Sequence, residues 1–307
     1  MPELCVVHLA RHANGWEPFD RFMRSYEQHP AGMDHDLVVA AKGFPGGEVP
    51  AEYLDRLAPH GGTVLPLEDT GFDIGSYWAA AETLSCTSFC FLNSFSVILD
   101  DGWLAKLARH HGPSVGVVGA SGSWQSHLSG SSVALRGGLL LPPWRIASDP
   151  FPARRLGARD RGWLVRDFLK RWAELPPFPN PHIRTNAFLI RRDLMLDIEV
   201  PELLVKMDAL RFESGRRSFT RQILSRRLQT LVVGRDGVAY PPDEWPESHT
   251  FRVGDQANLI VADNRTDEWL TAPSPLKEDE AANAWGRNGH RPMRIRRPPG
   301  LSSSRRR

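Results

Sequence analysis

The chain has 307 residues, 41% of them hydrophobic and 24% charged, an ordinary composition for a soluble globular protein with room for one large domain or two small ones. No apolar run approaches the ~20 residues of a membrane helix, and residues 1–12 lack the basic region of a signal peptide, so neither is expected. The net charge of +2 hides an asymmetry: residues 287–307 hold eight Arg and no acid, leaving −6 on the rest. That stretch has too few apolar residues for a core, and disorder is expected there. Two readings of it stand: a solvated extension, or peripheral contact with an anionic membrane, each Lys or Arg near such a surface contributing ~1 kcal/mol. The acidic remainder argues against nucleic acid as a partner. Cys5, Cys86 and Cys90 fall in apolar or β-type contexts and read as buried free thiols, which places the chain in a reducing cytoplasm.

In chain order, residues 4–10 predict a strand and 16–28 a helix, with Phe19, Phe22, Met23 and Tyr26 at helical spacing. Further strands are expected at 36–41 and 63–67, with a helix at 50–58 between them. Gly71-Phe72-Asp73-Ile74-Gly75 reads as a loop that lets backbone approach a ligand while holding one carboxylate among apolar neighbours. A helix at 76–85 and a buried strand at 88–92 follow. That strand ends in Asn93-Ser94, where an open α/β sheet places its ligand groups. A helix at 102–110 and a strand at 114–118 close the first half. Strands alternating with helices argue a mostly parallel sheet covered by helices, and the continuous Val/Leu/Ile runs suit strands buried on both faces.

Residues 119–158 are rich in Gly, Ser and Pro and predict a long decorated loop. Helical spacing returns at 159–175, a strand at 183–190, helices at 202–211 and 218–228, and a last strand at 231–233. The polar-dense segment 245–266 reads as a C-terminal strap packed on the domain, or as a lid whose Arg252, Asn264 and Arg265 reach the diphosphate or cover the acceptor on closing. No clean linker divides the chain. One domain over 1–270 is expected, with a donor half at about 1–118, an acceptor half at about 119–270 and an extension over 271–307.

Five segments in this order resemble a GT-A-type glycosyltransferase of the bacterial group related to rhamnan synthesis protein F. They are Val6-Val7-His8-Leu9-Ala10-Arg11, Gly71 through Tyr77, Phe91-Leu92-Asn93-Ser94, His182 through Arg191, and Glu213-Ser214-Gly215 followed by Val233-Gly234-Arg235-Asp236-Gly237. The resemblance covers about residues 4–240. It implies a Rossmann-like α/β fold and transfer of a sugar from a nucleoside-diphosphate donor to a glycan or lipid-linked acceptor, in surface polysaccharide assembly. By position it places Ala10, Arg11, Lys42, Asp73, Gly75, Asn93 and Ser94 at the donor, with Asp73 on the nucleoside. Arg11 or Lys42 would neutralise diphosphate charge, although Arg11 also reads as a surface cation after a strand. The competing class is a nucleotide- or glycan-binding protein on the same fold without turnover.

Such enzymes commonly end the central strand with two acids that bind Mn²⁺ or Mg²⁺. Here the matching residues are Asn93-Ser94-Phe95-Ser96, and hard cations want carboxylate or phosphate oxygen. Either other groups hold the metal, or Arg and Lys replace it, or the fold has lost activity; the sequence leaves metal dependence open. Asp100 and Asp101 read as the cap and first turn of the next helix. An inverting transfer needs a carboxylate to take the acceptor proton. Glu213 is the candidate, against a role as a partner of Arg211, Arg216 or Arg217 or as the start of the next helix; Asp208 is second. His182 and Asn186 either hydrogen-bond a sugar or satisfy local backbone. Trp124 either stacks on a sugar or anchors packing. The sequence holds no Gly-x-Ser-x-Gly elbow, HExxH or Walker lysine.

Overall fold

The computed structural model describes residues 3–128 and 172–286, together with 166 and 169. The decorated loop beyond residue 128, most of the helix expected at 159–175 and the Arg-rich segment from 287 lie outside the described residues. In chain order the elements are β1 (Leu4–Arg11), α1 (Trp16–Gln28), β2 (Asp36–Lys42), α2 (Ala51–Leu57), β3 (Thr63–Leu67), α3 (Phe72–Thr83), β4 (Ser88–Leu92), β5 (Val97–Ile98), α4 (Trp103–Ala108) and β6 (Val115–Gly119). They continue with β7 (Gly122–Ser123), β8 (His182–Ile183), β9 (Ala187–Arg191), α5 (Arg192–Asp197), α6 (Lys206–Ser214), α7 (Phe219–Ser225), β10 (Gln229–Val233), β11 (Ala239–Tyr240), β12 (Val261–Ala262), α8 (Asn264–Thr271) and α9 (Ser274–Trp285). Among the described residues no helix is long and apolar enough to cross a membrane.

One sheet of eight strands, ordered β11-β10-β6-β9-β4-β1-β2-β3, organises the molecule. Within it β9 runs antiparallel to β4 and β6, and β11 antiparallel to β10, while the other pairings are parallel. The fold is thus α/β with a mostly parallel, helix-covered sheet. Strand alternation supplies both of its cores. Cys5, Val7 and Leu9 of β1 join one cluster with Val38, Ala40, Phe89 and Phe91. Leu4, Val6 and Ala10 join the other with Leu37, Val39, Cys90 and the Phe19, Phe22 and Met23 face of α1. His8, fully buried, stacks on Phe22 at a centroid distance of 3.8 Å. Burial pushes its imidazole down to about 3, so it is a neutral ring serving as core.

Three expectations need correction. Cys5 and Cys86 are paired as a disulfide, their Cα atoms 6.0 Å apart, and Cys90 alone is a free, buried thiol. The partners lie 81 residues apart and meet because β1 and β4 are neighbours with Leu4 opposite Ser88, a contact no local pattern announces. The strand expected at 183–190 is two strands, β8 and β9, because residues 184–186 leave the sheet. Asp100 and Asp101 do not cap α4, whose N-cap is Gly102; Asp100 pairs with Lys106, and Asp101 with His29 at 2.8 Å.

Candidate functional site

The parallel strands deliver their carboxyl ends to one edge of the sheet, where open α/β folds gather ligand groups. β1 ends there in Ala10-Arg11, β2 in Lys42, β4 in Leu92-Asn93 and β6 in Gly119-Ala120-Ser121. Ala10 is buried opposite Ala41. Arg11 makes a bidentate pair with Asp69, both contacts at 2.8 Å. This bond holds the Asp69 carboxyl below its usual range and raises Arg11. Gly43, at φ +70°, permits the approach: a Cβ there would lie 2.8 Å from Asp69 Cβ.

Lys42 is buried, yet its ammonium donates to the carbonyls of Thr70 (2.7 Å) and Phe72. Those carbonyls belong to a bend in which Gly71 and Phe72 both take positive φ, +68° and +53°. A phenylalanine in that region is strained and persists only where its surroundings fix it; here Lys42 does so. The expected glycine loop is therefore shorter than its sequence suggests. α3 begins at Phe72, Gly75 N–H donates to the Gly71 carbonyl at 2.7 Å, and Asp73 sits in the first helical turn, where a carboxylate suits the helix dipole.

Asp73 is exposed to solvent, although protein is packed densely around its carboxyl. Burial raises its carboxyl, with Lys42 and then Arg11 pulling the other way. Tyr77, one turn further along α3, is fully buried; its hydroxyl donates to the Thr185 carbonyl at 3.3 Å. Thr185 Oγ1 in turn donates to Glu213 Oε1. Glu213 lies in the last turn of α6. Burial raises its carboxyl most; Thr185 and Arg184 lower it, and the Asp73 charge adds to the rise. The negative end of α6 acts in the same direction as burial. None of the proposed arginine partners takes Glu213. Arg211 binds Glu174 and Asp208, Arg217 binds Glu199, and Arg216 donates to the Trp172 carbonyl. Ser218 caps the following helix itself. Asp208 is occupied by the backbone N–H groups of Leu204 and Val205.

The remaining candidates separate. Asn93 Oδ1 accepts from Phe95 N and Ser96 Oγ, both at 3.1 Å, an Asx turn that closes the end of β4. Ser94 is buried beside it. Asn186 joins three strand ends. Its carbonyl accepts from Asn93 N at 2.9 Å, its Oδ1 accepts from Ser121 Oγ at 3.1 Å, and its buried Nδ2 has no partner among the described residues. His182 is buried with Nδ1 on the Asn180 carbonyl at 2.8 Å, and burial lowers it to about 4. Trp124 is the packing anchor of its two readings: 3% exposed, its indole N–H donates to Pro242 and its ring meets Trp285 edge-on. It leaves no face for a sugar.

The residues ending β4 do not fit a divalent cation. They are an amide and hydroxyls already committed to one another, and no group of three or more His, Cys, Asp or Glu among the described residues is arranged to hold a metal. Sequence reading missed Tyr77, Thr185, Arg184 and Asp69 as parts of this edge. Arg184 was visible only as part of a quoted segment. Its side chain pairs with Asp263 at 2.7 Å and approaches Ser121 Oγ at 3.4 Å.

No family model matches the chain, and no curated protein matches it. Among solved structures it is similar to a mannosyltransferase of Pyrobaculum calidifontis in complex with GDP-Man and Mn²⁺ (13% identity, TM-score 0.43, covering 92% of this chain and 73% of that one). It is also similar to the apo form of the glycosyltransferase GlyE of Streptococcus pneumoniae (9% identity, TM-score 0.42, 90% of this chain and 62% of that one). A third similarity is to the galactosyltransferase LgtC with donor and acceptor sugar analogues (10% identity, TM-score 0.36, 63% and 62%). In a further match to GlyE the chain spans only 29% of that protein's length.

Proposed function

We propose that the chain is a nucleotide-sugar-dependent glycosyltransferase of GT-A type, moving a sugar from a nucleoside-diphosphate donor to a glycan or lipid-linked hydroxyl. The observation that carries this reading is the Asp73–Tyr77–Thr185–Glu213 cluster: two carboxylates from different helices, both raised by burial, coupled across a buried tyrosine at the carboxyl edge of the sheet. Perturbed acids gathered at the ligand edge of a sheet point to a site. A base whose affinity for protons is raised toward neutrality suits proton abstraction from a sugar hydroxyl.

In this reading Asp73 contacts the nucleoside, with Ala10, Gly75, Asn93 and Ser94 shaping the donor side. Arg11 and Lys42 act as supports for the 69–73 bend. The acceptor oxygen attacks the anomeric carbon, its proton passes to Glu213, and the electron pair of the breaking C–O bond leaves with the nucleoside diphosphate. Thr185 holds Glu213 in place by its hydroxyl. Surface polysaccharide assembly and peripheral membrane contact through the Arg-rich residues 287–307 complete the proposal; the cytoplasmic expectation, drawn from three free thiols, loses that support with the Cys5–Cys86 disulfide. A divalent cation such as Mn²⁺ or Mg²⁺ would have to be held by donor phosphate and water oxygens, since the end of β4 supplies none. The second reading, a nucleotide- or glycan-binding protein without turnover, draws on that same missing acid pair.

Thermal shift with UDP-, GDP-, dTDP- and CDP-sugars, with and without Mn²⁺, tests the donor site. Stabilisation by one family of donors is expected, and no response to any of them sinks the proposal. Donor hydrolysis or transfer then separates the enzyme from the binding protein.

A further inference from the structure

Resting on the nucleotide-sugar reading, we propose that the donor's diphosphate is bound by a guanidinium clamp, formed by Arg184 and Arg252 on the Phe251 ring with Arg265 close enough for its charge to act on Arg252, which supplies the charge that an acid-bound metal ion would otherwise supply. Arg184 lies with its guanidinium carbon 4.3 Å from the Phe251 ring centre and Arg252 at 4.9 Å. Two cations on one aromatic ring repel each other; Arg184 and Arg265 both act on Arg252 to lower it, after burial. Three acids hold the group together: Asp263 on Arg184 (2.7 Å), Glu280 on Arg252 (3.2 Å) and Glu268 on Arg265 (2.6 Å). Each arginine carries five N–H donors in a fixed fork, so an ion pair to one carboxylate leaves donors for phosphate oxygen.

The backbone that carries Arg252 is held in an unfavourable conformation by its surroundings. Between residues 249 and 256, His249, Arg252 and Gln256 take positive φ (+54°, +48° and +56°), as does Gly254. Non-glycine residues cost energy in that region and cluster where function requires a fixed geometry. Two tryptophans lock the segment: Trp285 donates its indole N–H to the Phe251 carbonyl at 2.8 Å, and Trp269 to the Gly254 carbonyl at 2.9 Å. Gln256 closes it from within, accepting from Arg252 N at 2.7 Å. The aim of the clamp is set by Arg184. It sits directly before Thr185, its backbone N–H is fixed to the Ser121 carbonyl at 3.1 Å, and its charge is felt by Glu213. A diphosphate at this point lies on the carboxyl edge beside the proposed base. By contrast, Lys42 spends its ammonium on two backbone carbonyls, and Arg11 lies on the far side of β1 from this group in a bidentate pair with Asp69 that fixes the 69–73 bend.

The test is calorimetric titration of the full chain with UDP, GDP, dTDP and CDP, with their nucleosides and with pyrophosphate, each in EDTA and again with Mn²⁺. At least one nucleoside diphosphate is expected to bind in EDTA. Arg184→Gln and Arg252→Gln should each weaken it by about tenfold or more, one charge-assisted hydrogen bond being worth about 1.5–3 kcal/mol, and leave nucleoside binding unchanged. Arg265→Gln, on the more exposed residue, should weaken it less. Binding that requires Mn²⁺, or a folded Arg184→Gln/Arg252→Gln double variant that binds like wild type, overturns the clamp while the glycosyltransferase reading stands. If no nucleoside diphosphate binds in either condition, that reading fails instead. Pyrophosphate in EDTA then decides the clamp: binding lost in the variants supports it, and no binding overturns it. Circular-dichroism melts check folding; should the glutamine variants not fold, Arg252→Lys keeps the charge and loses the fork, and an unchanged affinity in it also counts against the clamp.

Discussion

Two bends at the same edge of the sheet hold residues in positive φ, and they resolve the strain in opposite ways. In the 69–73 bend the fixing groups are cations. Lys42 satisfies the carbonyls of Thr70 and Phe72, and Arg11 anchors Asp69 at the surface, so the positive charge is spent on fixing the bend. In the 249–256 bend the fixing groups are neutral indoles, Trp285 and Trp269. Arg252, the arginine of that bend, pairs with Glu280 and keeps donors to spare. A cation at a strand end is therefore a poor guide to ligand charge until its partners are known; what matters is whether the backbone already uses it.

The comparison can be broken most sharply through Glu213, whose carboxyl feels the charges of Asp73 in the first bend and of Arg184 beside the second. Glu213→Gln should lower turnover by about 10²–10⁴-fold with donor affinity unchanged, measured by steady-state transfer and calorimetry; unaltered turnover removes Glu213 as the base. The same variant carries a pH prediction. Burial raises the Glu213 carboxyl in the folded state, so its contribution to stability is present below the unfolded value and is lost as pH rises through the folded one. Glu213→Gln should therefore melt higher than wild type at pH 8, with the gain shrinking toward pH 4. A gain that grows on acidification contradicts a raised Glu213.

Lys42→Met is expected to cost about 3–5 kcal/mol in urea unfolding, because it leaves two carbonyls and the neighbouring acids without their buried cation. If stability is unchanged, Lys42 is not the support of the first bend. Trp285→Phe removes one indole donor from the second bend and should cost about 1–3 kcal/mol. It should also weaken binding of a nucleoside diphosphate, and a loss of stability without any change in binding would separate the bend from the clamp. Arg11→Ala is the smallest: its pair with Asp69 is solvent-exposed at 43% and 38%, a class worth about 0.2–1 kcal/mol. A larger effect on stability would show that Arg11 shares the role assigned to Lys42.

Much of the fold was legible because it is periodic. The first four strands of the large sheet and the helices between them are local patterns of burial, and β3, β4 and α1 coincide with their expected bounds. Departures arise where a tertiary partner overrides the local signal. α3 extends back to Phe72 because Lys42, thirty residues earlier, holds the carbonyl that starts it. Residues 184–186 leave the strand pattern because Asn186 is needed to bind the ends of β4 and β6. α8 starts at the end of the segment read as a strap or lid and α9 lies in the expected extension, since α8 depends on capping by Asp263 and α9 on burying Trp285 against Trp124.

The sequence by itself determined the mostly parallel sheet, the two-faced core, and the presence of Asp73 and Glu213 among residues able to bind or react. Each follows from alternation, spacing and residue chemistry, which are local properties of a chain. Only the tertiary structure decided that Trp124 is core, that Arg11 and Lys42 are engaged internally, that Cys5 meets Cys86, and that Asp73 and Glu213 are coupled across Tyr77. These are facts about which charges, donors and acceptors find partners, and partners far apart in sequence exist for a side chain only after the backbone has folded.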